Sequence, residues 1–342
     1  MIEQVIGEFS LPFREPLKMF AFMFGVNDDG HPVSCAEDLN KFERAACLVA
    51  GLRGDEVQQT FICSQIVSRL GELEVAGALT PGQLIAVIPC ANPASAAIGW
   101  RFWPGDKTDI NRMFPGYDHG ETTQRIAAAL FEFVKGYRYG VHFSSFYLQG
   151  DFLPHVRVMH GCGQEANHGA DFELPYVLHH VPGSFDTTTL HYNWRLWDCE
   201  AYTLYTKETS LIDHETAQEA VRATLRFLDA RGVIRCPSHR GFAAQQLTEH
   251  ALVPVSTSCG GIFCPRVQVG DIVCAGCELA IIVDPLRGIC KETLLAPCDG
   301  AVFFEARTPL VNEGTLAFQI VPPKIDEALE SELRGNFLDP EA

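Results

Sequence analysis

Ala45-Ala46-Cys47-Leu48-Val49-Ala50 runs straight into Gly51-Leu52-Arg53-Gly54-Asp55-Glu56, and from Val57 onward Phe61, Ile62, Ile66 and Leu70 recur at three- and four-residue steps. An unbroken apolar run suits a strand covered on both faces. Steps of three and four place side chains on one face of a helix. The junction therefore predicts a strand, a glycine-flanked loop carrying one arginine and two acids, and then a helix.

The same alternation continues outward. Leu84-Ile85-Ala86-Val87-Ile88-Pro89 is a second apolar run, and it leads into Asn92-Pro93, where the proline holds its predecessor extended. Ile126, Leu130, Phe131 and Val134 share one face of a helix over residues 123–134, ahead of Tyr139-Gly140-Val141-His142-Phe143. Ala217, Val221, Leu225 and Leu228 stripe a further helix over 215–230, with Gly232 placed to end it. Strand and helix in alternation is an α/β pattern, with helices on both faces of the sheet. From His250 the chain changes to short apolar runs punctuated by Gly260-Gly261, Gly270-Asp271, Ala275-Gly276 and Asp299-Gly300, which predicts a small all-β unit. The expected organisation is an α/β domain over 1–245, a small β domain over 246–322, and an acidic tail over 323–342.

With 342 residues, 26 basic against 43 acidic side chains and a net charge of −17, the chain repels polyanions, so no nucleic-acid partner is expected. Hydrophobic residues at 47% and charged residues at 20% suffice for a full core. The most apolar stretch, residues 84–103, is broken by Pro89, Pro93 and Gly99, so no membrane span is expected. Glu3 and Glu8 stand where a secretory leader would be basic, and thirteen cysteines is an odd count. Reduced thiols in a cytoplasmic protein are the reading that follows.

A catalytic zinc site needs three N or O ligands and one open position. The loop after the first strand offers Glu56, and the later strand end offers His142. Between them, Asp109-Ile110-Asn111-Arg112-Met113-Phe114-Pro115-Gly116 sets a planar guanidinium beside an amide, a pairing suited to a substrate carboxylate. Taken alone, Glu56 is an ordinary first-turn acid, His142 a core histidine, and Arg112 a partner for Asp109.

The joint order of the Asn92-Pro93 loop, Gly99-Trp100-Arg101-Phe102-Trp103-Pro104, the Asp109–Gly116 string and Ala296-Pro297-Cys298-Asp299-Gly300 resembles the succinylglutamate desuccinylase/aspartoacylase branch of the zinc carboxypeptidase superfamily, from about Ala45 to Ile320. The resemblance implies a zinc-carboxypeptidase-like mixed sheet followed by the small β domain. It also implies one zinc ion held by Glu56 and His142, with Arg101, Asn111 and Arg112 binding a small carboxylate. The implied activity is cleavage of the amide bond of an N-acyl amino acid.

The chain departs from the family pattern at three positions. Arg53 stands where the family has its first histidine ligand, and a guanidinium has no lone pair for a metal. Gly140-Val141-His142 replaces Asp-Leu-His, removing a polar neighbour of the ligand. Tyr205, in Thr203-Leu204-Tyr205, stands at the family's general-base glutamate, and a phenol is a weak base at neutral pH. Two readings follow. In the first, a hydrolase recruits a third ligand from His155, His160 or His168; Glu208, on the other strand parity from Tyr205, replaces the base only through a bulge. In the second, Arg53 supplies the metal's positive charge, pairs with Glu56, and joins Arg101 and Arg112 in an inactive or metal-free carboxylate-binding pocket. A rival metal site is the spacing of Cys259, Cys264, Cys274 and Cys277, although a cysteine-rich chain yields such pairs readily.

Overall fold

The computed structural model describes residues 1–10, 15–147, 149–161, 167–237 and 239–323; the expected acidic tail lies outside them from residue 324 onward. The chain opens with strands β1 (Ile2–Phe9) and β2 (Leu17–Gly25), an antiparallel pair that the apolar runs alone did not announce. There follow β3 (Glu43–Val49), helix α1 (Val57–Val75), β4 (Gln83–Ile88), the short α2 (Pro93–Ala96), α3 (Thr122–Val134) and β5 (Tyr139–Phe143). Next come β6 (Gly150–Phe152), β7 (His155–Met159), β8 (Tyr176–His180), α4 (Leu190–Leu196), β9 (Glu200–Tyr205), α5 (His214–Ala230) and β10 (Gln245–Thr248).

Nine of these strands form one mixed sheet in the order β1-β2-β4-β3-β5-β9-β7-β8-β10. Its centre, β4-β3-β5-β9, is parallel, and β7 turns antiparallel against β9. The apolar run of β3 explains the two-sided cover. Ala46 and Leu48 pack into the core that holds Ile62, Ile66 and Leu70 of α1 and Ala220 and Phe227 of α5. Cys47 and Val49 point the other way, into the core built with Ile126 and Leu130 of α3 and Trp194 of α4. A strand buried on both faces has no position for a polar residue, so its sequence reads as continuous rather than alternating. Helix α5 is capped by Asp213, whose side chain accepts from Thr216 N at 2.8 Å, and Gly232 adopts a left-handed φ of 71° just beyond its end.

The C-terminal strands are β11 (Val253–Ser256), β12 (Gly261–Pro265), β13 (Ile272–Val273), β14 (Glu278–Val283), β15 (Cys290–Leu295), β16 (Gly300–Ala306), β17 (Leu310–Val311) and β18 (Leu316–Val321). They form two antiparallel sheets, β11-β18-β16-β13 and β15-β14-β12-β17. The small unit is tied to the main one by β6, which leaves the α/β portion to pair with β16. Its core includes Phe152 of β6 and Leu178 of β8. The last strand of the main sheet ends at Thr248, and a 3-10 turn, Glu249–Ala251, carries the chain across. No helix among the described residues is long and apolar enough to cross a membrane.

Candidate functional site

The carboxyl ends of the parallel strands β3, β4 and β5 open into the loops 50–56, 89–92 and 144–147, the place where open α/β sheets receive ligands. The first loop is pressed hard against α2 and the residues that follow it. A Cβ on Gly54 would meet Ser95 C and Trp100 O at 2.3 Å, so only glycine lets the loop approach there. Gly116 has the same role for the Asn-Arg string: its φ is 92°, and a Cβ would lie 2.1 Å from Ala128 N of α3.

Arg53 is 3% exposed, and every edge of its guanidinium is engaged. Nε and Nη2 donate to Asp109 Oδ2 at 3.1 and 2.8 Å, Nη1 donates to the Ser145 carbonyl at 2.6 Å, and Nη1 lies 3.5 Å from Glu56 Oε1. Glu56 is saturated in turn. Its Oε1 accepts from Ser145 N at 2.8 Å and Ser145 Oγ at 2.7 Å, while Oε2 accepts from Arg53 N at 3.2 Å. Burial pushes the Glu56 carboxyl upward, with Arg53 and Ser145 opposing. His142, at the end of β5, is 1% exposed, and among the described residues its Nε2 has no hydrogen-bond partner. Burial, with Arg53 nearby, pushes its imidazole down to about 3, so it is neutral at physiological pH.

Asn111 and Arg112 sit on a 3-10 turn capped by Asp109, whose Oδ1 accepts from Asn111 N at 3.0 Å. Asn111 Oδ1 accepts from Leu190 N at 3.1 Å, which leaves its amide nitrogen as the group it has to offer. Arg112 donates to the Phe185 carbonyl, and no acid lies within ion-pair distance of it among the described residues. These residues line a cavity of about 530 Å³ with Arg53 and His142. Arg101 does not line it. Its guanidinium is held outside by Asp55, at 2.9 Å, and by the Phe146 carbonyl.

Tyr205 does line the cavity, stacked on His155 with ring centroids 4.9 Å apart and its hydroxyl 3.5 Å from Arg157 Nη1. None of the three candidate third ligands reaches this space. His155 donates through Nδ1 to the Leu153 carbonyl, 2.8 Å away, and packs on Phe303; His160 stacks on His179; His168 lies 2.6 Å from Glu200. Glu208 binds Ser210 Oγ and is absent from the lining.

The opposite wall comes from residues that the sequence patterns did not single out. His180 Nε2 lies 2.8 Å from Asp186 Oδ2 and its Nδ1 lies 2.6 Å from Glu249 Oε2; Arg157 Nη2 reaches Glu249 Oε1 at 2.9 Å. Burial opposes charge on His180, but the two carboxylates outweigh it and raise its pKa. Asp186, against the same opposition from burial, is held at about 2. His191, the second residue of α4, is 2% exposed; its Nδ1 sits 2.6 Å from Thr203 Oγ1, and its Nε2 has no partner among the described residues. Burial, then the nearby arginines, pushes its pKa far down. One signal for this wall existed in the sequence, the His179-His180 pair closing an apolar strand. His191 and Glu249 had none, because they are brought in by tertiary packing from distant segments.

The donor set does not fit a zinc ion. Arg53 brings a positive charge and no lone pair, both Glu56 oxygens are taken by Arg53 and Ser145, and His142 Nε2 is the one free donor of that set. Among the described residues no group of three or more histidine, cysteine or acidic side chains is placed to hold a metal. That statement includes the cysteines of the small β domain, where Cys259 contacts Glu292 and Cys274 and Cys277 are exposed.

Residues 43–231 match the model of the succinylglutamate desuccinylase/aspartoacylase catalytic domain. Among solved structures, a succinylglutamate desuccinylase/aspartoacylase from Rhodobacter sphaeroides superposes with a TM-score of 0.74 at 18% identity, covering 95% of this chain and 96% of that one. The product-bound ectoine utilization protein EutE (DoeB) of Ruegeria pomeroyi gives 0.71 at 16% identity, over 90% and 89%. An aspartoacylase family protein from Mesorhizobium loti gives 0.69 at 19% identity, over 94% of each chain. No curated protein matches the sequence. The mixed sheet, the appended β sheets and the match across more than half the chain together place this protein in the succinylglutamate desuccinylase/aspartoacylase family.

Proposed function

We propose that this family member binds a small organic carboxylate, of the N-acyl amino acid type, in the Arg53–Arg112 cavity, and does so without zinc. The lock on Arg53 carries this reading. A guanidinium fixed by Asp109, Glu56 and Ser145 fills, with no ion bound, the place where the family resemblance sets the first metal ligand. Arg112, facing no acid, is the cation left to pair with the ligand's carboxylate, and the Asn111 amide donates beside it. Arg157 and His180 are neutralised by Glu249 and Asp186 and shape the far wall.

A second reading, hydrolysis of the ligand's amide bond, is supported by family membership and by the free Nε2 of His142. It asks for an electrophile and a proton acceptor that Arg53 and Tyr205 do not supply. Titration calorimetry with a panel of N-acyl glutamates and N-acyl aspartates, on protein before and after chelator treatment, separates the two. Equal binding in both samples with no amine released is the expected result. Binding or amine release that vanishes on chelation and returns with zinc would overturn the metal-free reading.

A further inference from the structure

The turn between β13 and β14 carries Cys274-Ala275-Gly276-Cys277, the tighter of the two cysteine spacings in the β domain. Both thiols are exposed, and neither residue lines the Arg53–Arg112 cavity. Cys277 N donates to the Cys274 carbonyl at 3.0 Å and Gly276 takes a φ of 83°, so the four residues form a β-turn whose left-handed position is filled by glycine. The turn is also held from outside. Ala275 N donates to Asp299 Oδ1 at 2.8 Å, Gly276 N donates to the Ala296 carbonyl at 2.8 Å, and the Cys277 carbonyl accepts from Ala296 N at 2.8 Å. Val273 before it and Leu279 beyond it are buried. A β-turn brings its first and fourth Cα atoms within about 7 Å, and disulfides span Cα separations of about 4.4–6.8 Å. A fixed backbone therefore places two exposed thiols where one disulfide can join them.

We propose that Cys274 and Cys277 form a reversible dithiol–disulfide site that exchanges with small thiol–disulfide couples such as glutathione. In the forward direction one protein thiolate attacks glutathione disulfide; the oxidant's S–S bond breaks, a protein–glutathione bond forms and one glutathione thiolate leaves. The other protein thiolate then attacks the protein-side sulfur of that mixed disulfide, closing the ring and releasing the second glutathione. The protein gives up two electrons and two protons, and glutathione disulfide becomes two glutathiones. Two features make the bond reversible rather than structural. Its sulfurs are open to an incoming thiolate, and bridging so short a loop restricts the unfolded chain little. The site stands independently of the carboxylate-binding reading, since it shares no residue with that cavity.

Trypsin releases residues 267–287, which contain these two cysteines and no other, so the state of the pair is read from one peptide. The native protein is equilibrated in glutathione buffers of graded redox poise, its remaining thiols are alkylated, and the digest is read by mass spectrometry. The expected result is a peptide two hydrogens lighter and free of alkylation at oxidising poise, with both thiols recovered under reduced glutathione. Cys277→Ser is expected to leave glutathione on Cys274, and Cys274→Ser to leave it on Cys277; as both side chains are exposed, neither change disturbs the core. Cys298→Ser, in the loop that holds the turn, is expected to leave the bridge as it is. No bridge across the whole range of poise, a bridge that pairs either cysteine with Cys298, or a bridge that reduced glutathione does not reopen overturns the proposal.

Discussion

Asp109 joins the two halves of the site with a single carboxylate: Oδ2 receives Arg53 Nη2 at 2.8 Å, and Oδ1 caps the turn that presents Asn111 and Arg112. Arg53, which stands where the family resemblance sets a metal ligand, is thereby built into the support of Asn111 and Arg112. Arg53 is held by partners of its own rather than lodged in an otherwise unchanged metal site, and substitutions in this group should show it.

Arg53→Ala would leave Asp109 and Glu56 buried beside an empty space. Removing one partner of a buried pair usually costs about 3–5 kcal/mol, and a loss of that order is expected in urea denaturation. Arg53→His should be milder and should also gain a function, because it sets an imidazole beside Glu56 and His142. About one zinc per chain, read by plasma mass spectrometry in the variant and absent from the parent, is the expected outcome.

Arg112→Ala should act on binding rather than on stability, since Arg112 is half-exposed and its partner is a backbone carbonyl. A carboxylate ligand is expected to lose about tenfold or more in affinity, with the unfolding midpoint almost unmoved. An equal loss of stability would mean that Arg112 serves the loop and not the ligand.

His155 predicts a pH dependence. Burial pushes it down to about 4, below its value of 6.5 when unfolded. Between those values the unfolded chain binds the proton more readily, so stability is fully present above pH 6.5 and is lost as pH falls toward 4. The contribution is about 3 kcal/mol at most, and His155→Gln should flatten that part of the stability profile measured by urea denaturation.

His180 carries the opposite sign. Its raised pKa means that the ion pairs with Asp186 and Glu249 stabilise the fold fully below the unfolded value and fade as pH climbs through the folded one. Glu249→Gln should move the His180 titration downward, followed by its ring proton shifts. An unmoved titration would show that Asp186 alone sets it.

Gly54→Ala tests the close approach of the first loop. The added methyl meets backbone atoms of Ser95 and Trp100, which cannot swing aside as a side chain can. A loss of about 1–3 kcal/mol or more is expected, with the cavity distorted, in thermal unfolding.

How much of this was legible beforehand differs from element to element. The hexamer 45–50 announced a strand covered twice, and the fold places its alternate residues in two separate cores. The hairpin of β1 and β2 was less legible: its half-exposed first strand carries no continuous apolar run, and the run Met19–Phe24 in its second strand does not by itself name a partner. The resemblance brought Arg53, Glu56, Asn111, Arg112, His142 and Tyr205 forward, and all but Glu56 face the one cavity, with Glu56 directly behind Arg53. Arg101, drawn from the same strings, turns to Asp55 instead.

The sequence by itself determined what is local: the strand and helix periods, the glycines that flank the first loop, and a guanidinium where the family resemblance sets a metal ligand. Tertiary structure alone decided which groups meet. His180 and Glu249 are 69 residues apart by their numbering and touch at 2.6 Å, and His191 reaches the cavity from α4, whose Leu190 N donates to Asn111 Oδ1 at 3.1 Å. The physical reason is that periodicity reports the neighbours of a residue along its own element, whereas a binding site is made of contacts between elements. Those contacts are fixed by packing, and they leave no trace in the spacing of any one segment.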